Sequence, residues 1–209
     1  MHHKSLNLDT DYRILITVGL GFIASSLFEI LLENGNHLTC LDSFANGKRD
    51  NIKELPNKRN FELIQGDIRN LEVCKRTCAN IDYVLHQAAL GSVPRSIKAS
   101  ITSSAANISG FLNMPFARDT EIRRFAYTAS FSTHRGSNSM PKLEEVIGKP
   151  LFPSAITKYA NELYAEVFAK TYHIGTIGLC YFNVFGRKQD PNGTYEMVIP
   201  KFHNIIDKI

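Results

Sequence analysis

The 209-residue sequence has no tryptophan, only four cysteines and no segment rich in lysine and arginine. Without a basic patch, its net charge of +4 gives no reason to expect binding to nucleic acid. Only Cys74 and Cys78 are close in sequence, and their spacing matches neither a zinc site nor a C-x-x-C redox pair. We therefore expect no metal site and reduced thiols that mostly pack in the interior, as is usual in a cytoplasmic protein.

The sequence also lacks a long uninterrupted hydrophobic run. The stretch 14–32 carries a single charge, Glu29, but glycines and hydroxyl residues interrupt it. This pattern favours a strand, a turn and a helix over a membrane-spanning helix. Asp9 and Asp11 precede the first apolar run and no small-residue cleavage site follows them, so we expect no signal peptide.

The same stretch predicts a phosphate-binding turn. Residues 14–16 form a short apolar run, Gly19 and Gly21 end it, and apolar residues then recur at helical spacing up to about residue 34. Such a turn leaves the first amides of the helix free to bind a phosphate. Asp42 ends the next predicted strand about 20 residues on, where a carboxylate can accept hydrogen bonds from an adenosine ribose. Together these residues predict a dinucleotide site.

The glycine pattern departs from the usual fingerprint at two of its three positions. The three positions hold Val18, Gly21 and Ala24. Ala24 adds only one methyl group to the contact between helix and strand. Val18 is less suitable, because a β-branched residue resists the positive φ that tight turns often require. We expect strain on the order of 1–3 kcal/mol at this position.

Strands and helices alternate along the chain, which predicts an α/β fold with a parallel sheet. The residues 91–96 read as a loop, and Pro115 is expected to kink or shorten its helix. We expect a dinucleotide-binding domain over 12–182 and the start of a second, substrate-binding region over 183–209. The predicted strands are 14–16, 37–41, 61–65, 82–86, 125–130 and 176–181, and the later helices are 70–79, 100–118, 154–172 and 198–209.

Seven motifs together resemble the extended short-chain dehydrogenase/reductase family, and within it the NAD-dependent UDP-hexose 4-epimerases of the UDP-N-acetylglucosamine type. The resemblance runs from Tyr12 to Phe202. It implies a Rossmann-type doubly wound parallel sheet flanked by helices. The motifs are TVGLGFIA at 17–24, LDSFANG at 41–47, QGDIRN at 65–70, DYVLHQAALGSVPRS at 82–96, TASFST at 128–133, PSAITKYANELYAE at 153–166 and CYFNVFGRKQDPNG at 180–193.

The resemblance implies roles for particular residues. Asp42 would hold the adenosine ribose and favour NAD over NADP, while Asp67 and Ile68 would flank the adenine. The implied NAD-binding residues are Gly19, Gly21, Phe22, Ile23, Asp42, Asn46, Gly47, Asp67, Ile68, Ala88, Ala89, Gly91, Asn107, Lys158 and Tyr181. The implied substrate-binding residues are Ser92, Val93, Ser130 and Asn183, with Asn183 near the diphosphate of the UDP-sugar.

The family reaction moves a hydride from C4 of the sugar to NAD and back to the other face, through a 4-keto sugar. The base is the tyrosine of a Y-x-x-x-K motif, but here the motif is Ser154-Ala-Ile-Thr-Lys158. Serine is a poorer acid than tyrosine and is shorter, so we expect impaired activity. The implied catalytic residues are Ser130, Ser132, Ser154 and Lys158; His134 is a less favoured base.

Other readings stay open at this stage. The protein could be a non-catalytic domain that binds NAD or a UDP-sugar, or a homodimer built on a four-helix bundle of helices 100–118 and 154–172. Family members continue beyond Ile209, so we expect the substrate domain to be largely missing. Lys158 could also be a surface lysine paired with Glu162, and Asp67 a turn residue or helix N-cap. His86 reads as a core residue.

Overall fold

The protein forms a six-stranded parallel sheet in the order β3-β2-β1-β4-β5-β6. The computed structural model describes residues 11–45, 47–116, 122–130, 133, 149–182, 184–186 and 188–189. The order reverses between β1 and β4, as in a doubly wound dinucleotide-binding fold. The predicted fold class is confirmed. The strands are β1 (Arg13–Thr17), β2 (His37–Asp42), β3 (Phe61–Gln65), β4 (Tyr83–His86), β5 (Arg124–Ser130) and β6 (Gly175–Tyr181).

The helices lie where the apolar periodicity predicts them, with one exception. Asn70 caps α2 as expected, because its side chain accepts hydrogen bonds from the backbone N–H groups of Glu72 and Val73. The prediction of a loop over 91–96 is wrong, since Ser92 begins a short helix that includes Pro94. The helices are α1 (Phe22–Glu33), α2 (Leu71–Cys78), α3 (Val93–Lys98), α4 (Ser100–Ser104), α5 (Gly110–Phe116) and α6 (Pro153–Tyr172).

A π-helical turn, Ala105–Ser109, joins α4 to α5. A kink or an early end was expected at Pro115, but the irregular turn lies before this residue. Pro115 itself occupies the last turn of α5. Such π turns inside helices occur frequently at functional sites. The helix predicted over 198–209 lies outside the described residues. Among the helices that are described, none is long and apolar enough to cross a membrane.

The sheet is covered by two apolar clusters, one on each face. Side chains alternate along β1, so that Ile14 and Ile16 join one cluster and Leu15 joins the other. The first cluster contains Phe28 of α1, and the second contains Phe111 of α5. Burial on both faces explains why the central strands are continuous apolar runs. The sheet thereby holds the carboxyl ends of its strands in fixed positions.

The four cysteines are free thiols, as predicted. Burial raises the pKa of Cys40 and Cys78 to about 12 and that of Cys74 to about 11. These three thiols therefore stay protonated at neutral pH and act as small apolar side chains. The thiol of Cys40 also packs directly beneath Gly19, where a β-carbon would lie only 2.2 Å from its sulfur atom.

We predict that Gly19→Ala lowers the free energy of unfolding by about 1–3 kcal/mol, because the new methyl group collides with a closely packed interior. The new β-carbon would also lie 2.6 Å from the ring of Phe28. Denaturant unfolding measures the change. Gly186→Ala is the control, since a β-carbon there meets no atom within 4 Å. An equal loss of stability in both variants would contradict the assignment of Gly19 as a packing glycine.

Candidate functional site

The turn after β1 has the strained backbone that its sequence predicts. Val18 adopts a φ of 54°, in the left-handed region that β-branched residues avoid. Two backbone hydrogen bonds hold it there: its N–H donates to Leu41, and its carbonyl accepts from Gly21 at 3.2 Å. Gly21 is the extended N-cap of α1, and no side chain caps that end. The first-turn amides are thus left for a ligand.

Asp42 lies at the end of β2 with its side chain turned toward this turn. Asp42 is 3% exposed, and its carboxylate accepts hydrogen bonds from the backbone N–H of Leu20 at 3.0 Å and of Phe44 at 2.7 Å. A carboxylate has about four acceptor positions, so capacity remains for ribose hydroxyls. The ribose contact stays a prediction. The structure shows a further role, in which Asp42 fixes the turn that would receive the phosphates.

The adjacent carboxyl ends of β1 and β4 are joined by side-chain hydrogen bonds. The hydroxyl of Thr17 accepts from the backbone N–H of Ala88 at 3.1 Å and lies 3.2 Å from Nδ1 of His86. These three residues flank the point where the strand order reverses, which is where open α/β sheets bind ligands. Thr17 was not among the predicted site residues, although a hydroxyl residue between an apolar strand and a glycine turn is a usable signal.

His86 is a core residue, as the sequence indicates. Its ring stacks on Phe125 and meets Phe111 edge-on. Burial lowers its pKa to about 3, with the positive charge of Lys158 as a smaller contribution. His86 is therefore neutral at physiological pH and cannot serve there as a charged group.

Asn107, on the π-helical turn, clamps the loop that follows β4. Its side-chain oxygen accepts from the backbone N–H of Leu90 at 2.7 Å, and its amide nitrogen donates to Leu90 O and to the hydroxyl of Thr157. The side chain thus connects three segments of the proposed cofactor site. Its direct contact with NAD stays a prediction.

The segment after this clamp turns sharply into α3. Ser92 has a φ of 126° and is buried, and its hydroxyl accepts a hydrogen bond from the backbone N–H of Arg95 at 3.2 Å. Strained residues of this kind are concentrated in ligand sites. The loop that contains Ala88, Ala89 and Gly91 therefore ends at Ser92, the N-cap of α3. Val93 is the first residue of this helix.

Lys158 lies on α6 and reaches β5 near the carboxyl end of that strand. Its ammonium group donates to the backbone oxygen of Thr128 at 2.7 Å and to the hydroxyl of that residue at 3.0 Å. Burial lowers its pKa to about 8, and the nearby carboxylate of Glu162 opposes the shift. Lys158 is therefore half-buried and bound to β5 rather than fully solvated, and it also interacts electrostatically with Glu162. Ser154 lies one turn earlier, in the first turn of α6.

Two further predicted residues lie at strand ends on the same side of the sheet. Ser130 and Tyr181 end β5 and β6 and face each other in the parallel register. Lys158 contacts β5 two residues before Ser130. The structure thus brings Ser130, Tyr181 and Lys158 to neighbouring positions, while Ser132, Asn183 and Asn46 lie outside the described residues. His134 also lies outside them.

Asp67 is a turn residue after β3 and not a helix N-cap. Its carboxylate accepts from the backbone N–H of Arg69 at 2.8 Å and also from its guanidinium group. These hydrogen bonds hold the pKa of Asp67 below its usual value. The carbonyl of Ile68 accepts from the side chain of Asn113 at 2.8 Å. Their expected contact with adenine stays a prediction.

The loop after β2 supports the phosphate-binding turn from the outside. Asn51 donates from its side-chain amide to the carbonyl of Leu20 at 2.8 Å, and Lys48 donates to the same carbonyl from its backbone. A β-carbon at Gly47 would lie 2.2 Å from the β-carbon of Leu20, so glycine is required for this approach. Sequence analysis missed Asn51, because its partner is 31 residues away.

The residues present fit a dinucleotide. A strand, a turn with uncapped helix amides and a buried carboxylate at the end of β2 are arranged as such a ligand requires. At Gly21 an added β-carbon would make only an ordinary van der Waals contact, 3.4 Å from the carbonyl oxygen of Val18. The end of β4 is followed by the small side chains of Ala88 and Ala89.

Comparison with known proteins identifies the family. Residues 14–208 match the family described as "Epimerase: NAD dependent epimerase/dehydratase family". The chain belongs to this NAD-dependent family. The resemblance stated from the sequence, and NAD as the family's cofactor, are therefore confirmed.

Three relatives show how similar the chain is to characterised proteins. A UDP-glucose 4-epimerase from Mycolicibacterium smegmatis is 28% identical over 184 residues, or 87% of this chain. The structure of a UDP-N-acetylglucosamine 4-epimerase from Methanobrevibacter ruminantium, in complex with UDP-N-acetylmuramic acid, is 33% identical and superposes on 96% of this chain with a TM-score of 0.89. The complex of Thermus thermophilus UDP-glucose 4-epimerase with NAD is 31% identical, covers 88% of this chain and has a TM-score of 0.78.

The chain is shorter than these relatives. It spans 59% of the M. smegmatis protein, 64% of the M. ruminantium chain and 59% of the T. thermophilus chain. The activity and the ligands of the longer proteins are therefore not established for this chain by the match alone.

We predict that burial of Lys158 makes the protein more stable as the pH rises from about 8 to 10.5. In this range the unfolded chain keeps a proton that the folded lysine has lost, so the free energy of unfolding increases with pH. Lys158→Met should lack this increase. Denaturant unfolding of both proteins at pH 7 and pH 10 measures the difference.

The raised pKa values of the buried thiols oppose this trend, because the folded protein keeps their protons at high pH. They are present in both proteins and cancel in the difference between them. Lys170→Met is the control, since Lys170 is an exposed residue of the same helix that contacts Glu166. A pH dependence unchanged by Lys158→Met would contradict the prediction.

Proposed function

We propose that this protein is an NAD-binding member of the UDP-hexose 4-epimerase group whose catalytic step is impaired. The observation that supports this proposal is that Lys158 on α6 donates a hydrogen bond to Thr128, while Ser154 lies one turn earlier, where the family motif has a tyrosine. The similarity to UDP-N-acetylglucosamine and UDP-glucose 4-epimerases supports this reaction class. The substrate class in the proposal is UDP-GlcNAc or UDP-GalNAc, and the setting is cytoplasmic nucleotide-sugar metabolism, which supplies polysaccharide biosynthesis.

When bound, NAD would supply the hydride acceptor and donor for C4 of the sugar. The protein must place the dinucleotide between the β1 turn and the β4 loop, which Asp42, Thr17 and Asn107 hold in position. In this proposal Ser130 orients the reacting hydroxyl. Asn183 contacts the diphosphate.

The missing element is the base for the C4 hydroxyl. A serine hydroxyl has a much higher pKa than a tyrosine phenol, and a side chain of two heavy atoms does not reach as far as an aromatic ring. General base catalysis typically contributes about 10²–10⁴-fold to a rate, so a loss of this size is expected. Lys158 next to the site still offers a positive charge below its pKa of about 8.

We predict that the protein binds NAD but converts UDP-GlcNAc to UDP-GalNAc at least about 100-fold more slowly than an epimerase with the complete motif. Calorimetry measures NAD binding. Chromatography of the sugar nucleotides measures conversion. Robust turnover would contradict the impairment, and the absence of NAD binding would contradict the proposal itself.

Ser154→Tyr separates the two possible causes of low activity. If the missing phenol alone limits the reaction, this variant should gain turnover, whereas Ser154→Phe, its matched control without the hydroxyl, should not. If substrate contacts outside residues 1–209 are equally necessary, neither variant gains turnover, although both should still bind NAD.

A second candidate function is a non-catalytic protein that binds NAD or a UDP-sugar, or that dimerises. The observation in its favour is a row of exposed apolar side chains on α6, a helix that otherwise packs against the sheet. Ile156, Leu163 and Val167 are 54%, 48% and 54% exposed. Ile101 of α4, which contacts α6, is 87% exposed. Exposed apolar residues in such number commonly mark an interface.

We predict that α6 and the helix 100–116 form a homodimer, through a bundle of four helices. Val167→Glu should shift the protein from dimer to monomer, because it places a charge in the centre of an apolar contact. Analytical ultracentrifugation measures the change. Glu166→Gln, at the neighbouring exposed position, is the control and should leave the dimer intact. A wild-type protein that is monomeric at micromolar concentration would contradict the proposal.

A further inference from the structure

Lys188, which follows β6 in the chain, contacts α1. The ammonium group of Lys188 forms an ion pair with the carboxylate of Glu29, which is 159 residues away in sequence. It also donates a hydrogen bond to the backbone oxygen of Asn51 at 2.9 Å. The side chain of Lys188 is only 20% exposed. A partly buried lysine with two such partners is a specific contact and not a solvated surface charge.

The contact is connected to the phosphate-binding turn through Asn51. Asn51 accepts from Lys188 with its backbone oxygen and donates from its side chain to the carbonyl of Leu20. The N–H of Leu20 in turn donates to the carboxylate of Asp42. Three successive hydrogen bonds therefore lead from Lys188 to the residue predicted to hold the adenosine ribose.

The two partners of Lys188 lie on two different elements next to the turn after β1. Glu29 lies on α1, the helix whose first turn follows Gly21, and Asn51 lies in the short 3-10 helix Arg49–Ile52 in the connection after β2. A single cation that binds both elements limits how far the loop can move away from the helix. Fixing a site in its binding conformation before the ligand arrives increases affinity, because less freedom is lost on binding.

We propose that Lys188 is a positioning residue for the nucleotide, which ties the segment after β6 to α1 and to Asn51 and thereby keeps Leu20 and Asp42 in the arrangement that binds NAD. This inference rests on the proposed function, because it assigns the adenosine half of the site to NAD. By linkage, NAD binding also strengthens the attachment of the segment after β6. Lys188 itself contacts neither the dinucleotide nor the sugar in this proposal.

The test compares Lys188→Met with wild type in the complete 209-residue chain. We expect the dissociation constant for NAD, measured by calorimetry, to rise by on the order of fivefold to tenfold. Lys188→Arg keeps the charge and the donors, so it should stay within about twofold of wild type. Glu29→Gln weakens the ion pair from the other side and should change the affinity in the same direction. Lys170→Met, which removes a surface lysine paired with Glu166, is the matched control.

Hydrogen exchange of the protein without NAD gives a readout that does not depend on the ligand. The backbone amides of Leu20 and Phe44, which both donate to Asp42, should exchange faster in Lys188→Met than in wild type or in Lys170→Met. Amides of the opposite face, such as that of Cys74 in α2, should be unchanged, so a local effect is distinguished from a general loss of stability.

The outcomes separate this inference from the proposed function. Unchanged NAD affinity together with unchanged exchange at Leu20 and Phe44 overturns the role of Lys188. Faster exchange throughout the protein, without a selective effect at these two amides, also overturns it. If wild type does not bind NAD, the proposed function fails, and the exchange measurement still decides whether Lys188 holds the turn.

Discussion

The buried hydroxyl of Thr17 joins the two halves of the sheet at the point where the strand order reverses. It accepts the backbone N–H of Ala88 and contacts the ring of His86, so the phosphate-binding turn after β1 and the loop after β4 cannot shift independently. His86 is neutral because it is enclosed by Phe111 and Phe125, and a charged imidazole would be unstable there. Two strand ends held together in this way lose little further freedom when a ligand binds across them, which increases affinity.

The carboxylate of Asp42 fixes the turn after β1 from the side of β2. It accepts backbone N–H groups from Leu20 on one side and Phe44 on the other, so a single buried charge orders both loops. This arrangement also accounts for the tolerance of Val18 in a left-handed conformation. Several backbone hydrogen bonds around the turn determine its shape, and together they outweigh a strain on the order of 1–3 kcal/mol.

The sheet could be predicted because each central strand is a short apolar run and each helix repeats its apolar residues with the helical period. Where local signals conflict, prediction failed: Gly91 and Pro94 indicate a loop, but proline suits the first turn of a helix, and Ser92 supplies the cap of α3. The π-helical turn around Asn107 leaves no mark in the periodicity. Contacts such as that between Lys188 and Glu29 join residues too distant in sequence for any local pattern to indicate them.

The position of Lys158 gives this residue a structural role that is independent of any catalytic one. Its ammonium group satisfies the backbone oxygen and hydroxyl of Thr128 in the partly buried space between α6 and β5. Loss of the lysine would remove both hydrogen bonds, each typically worth about 0.5–1.5 kcal/mol. Ser154, in contrast, lies in the first turn of α6, where its backbone carbonyl accepts a hydrogen bond from the hydroxyl of Thr157 at 2.8 Å. Stability alone can therefore account for a lysine at position 158, whatever the chemistry at position 154.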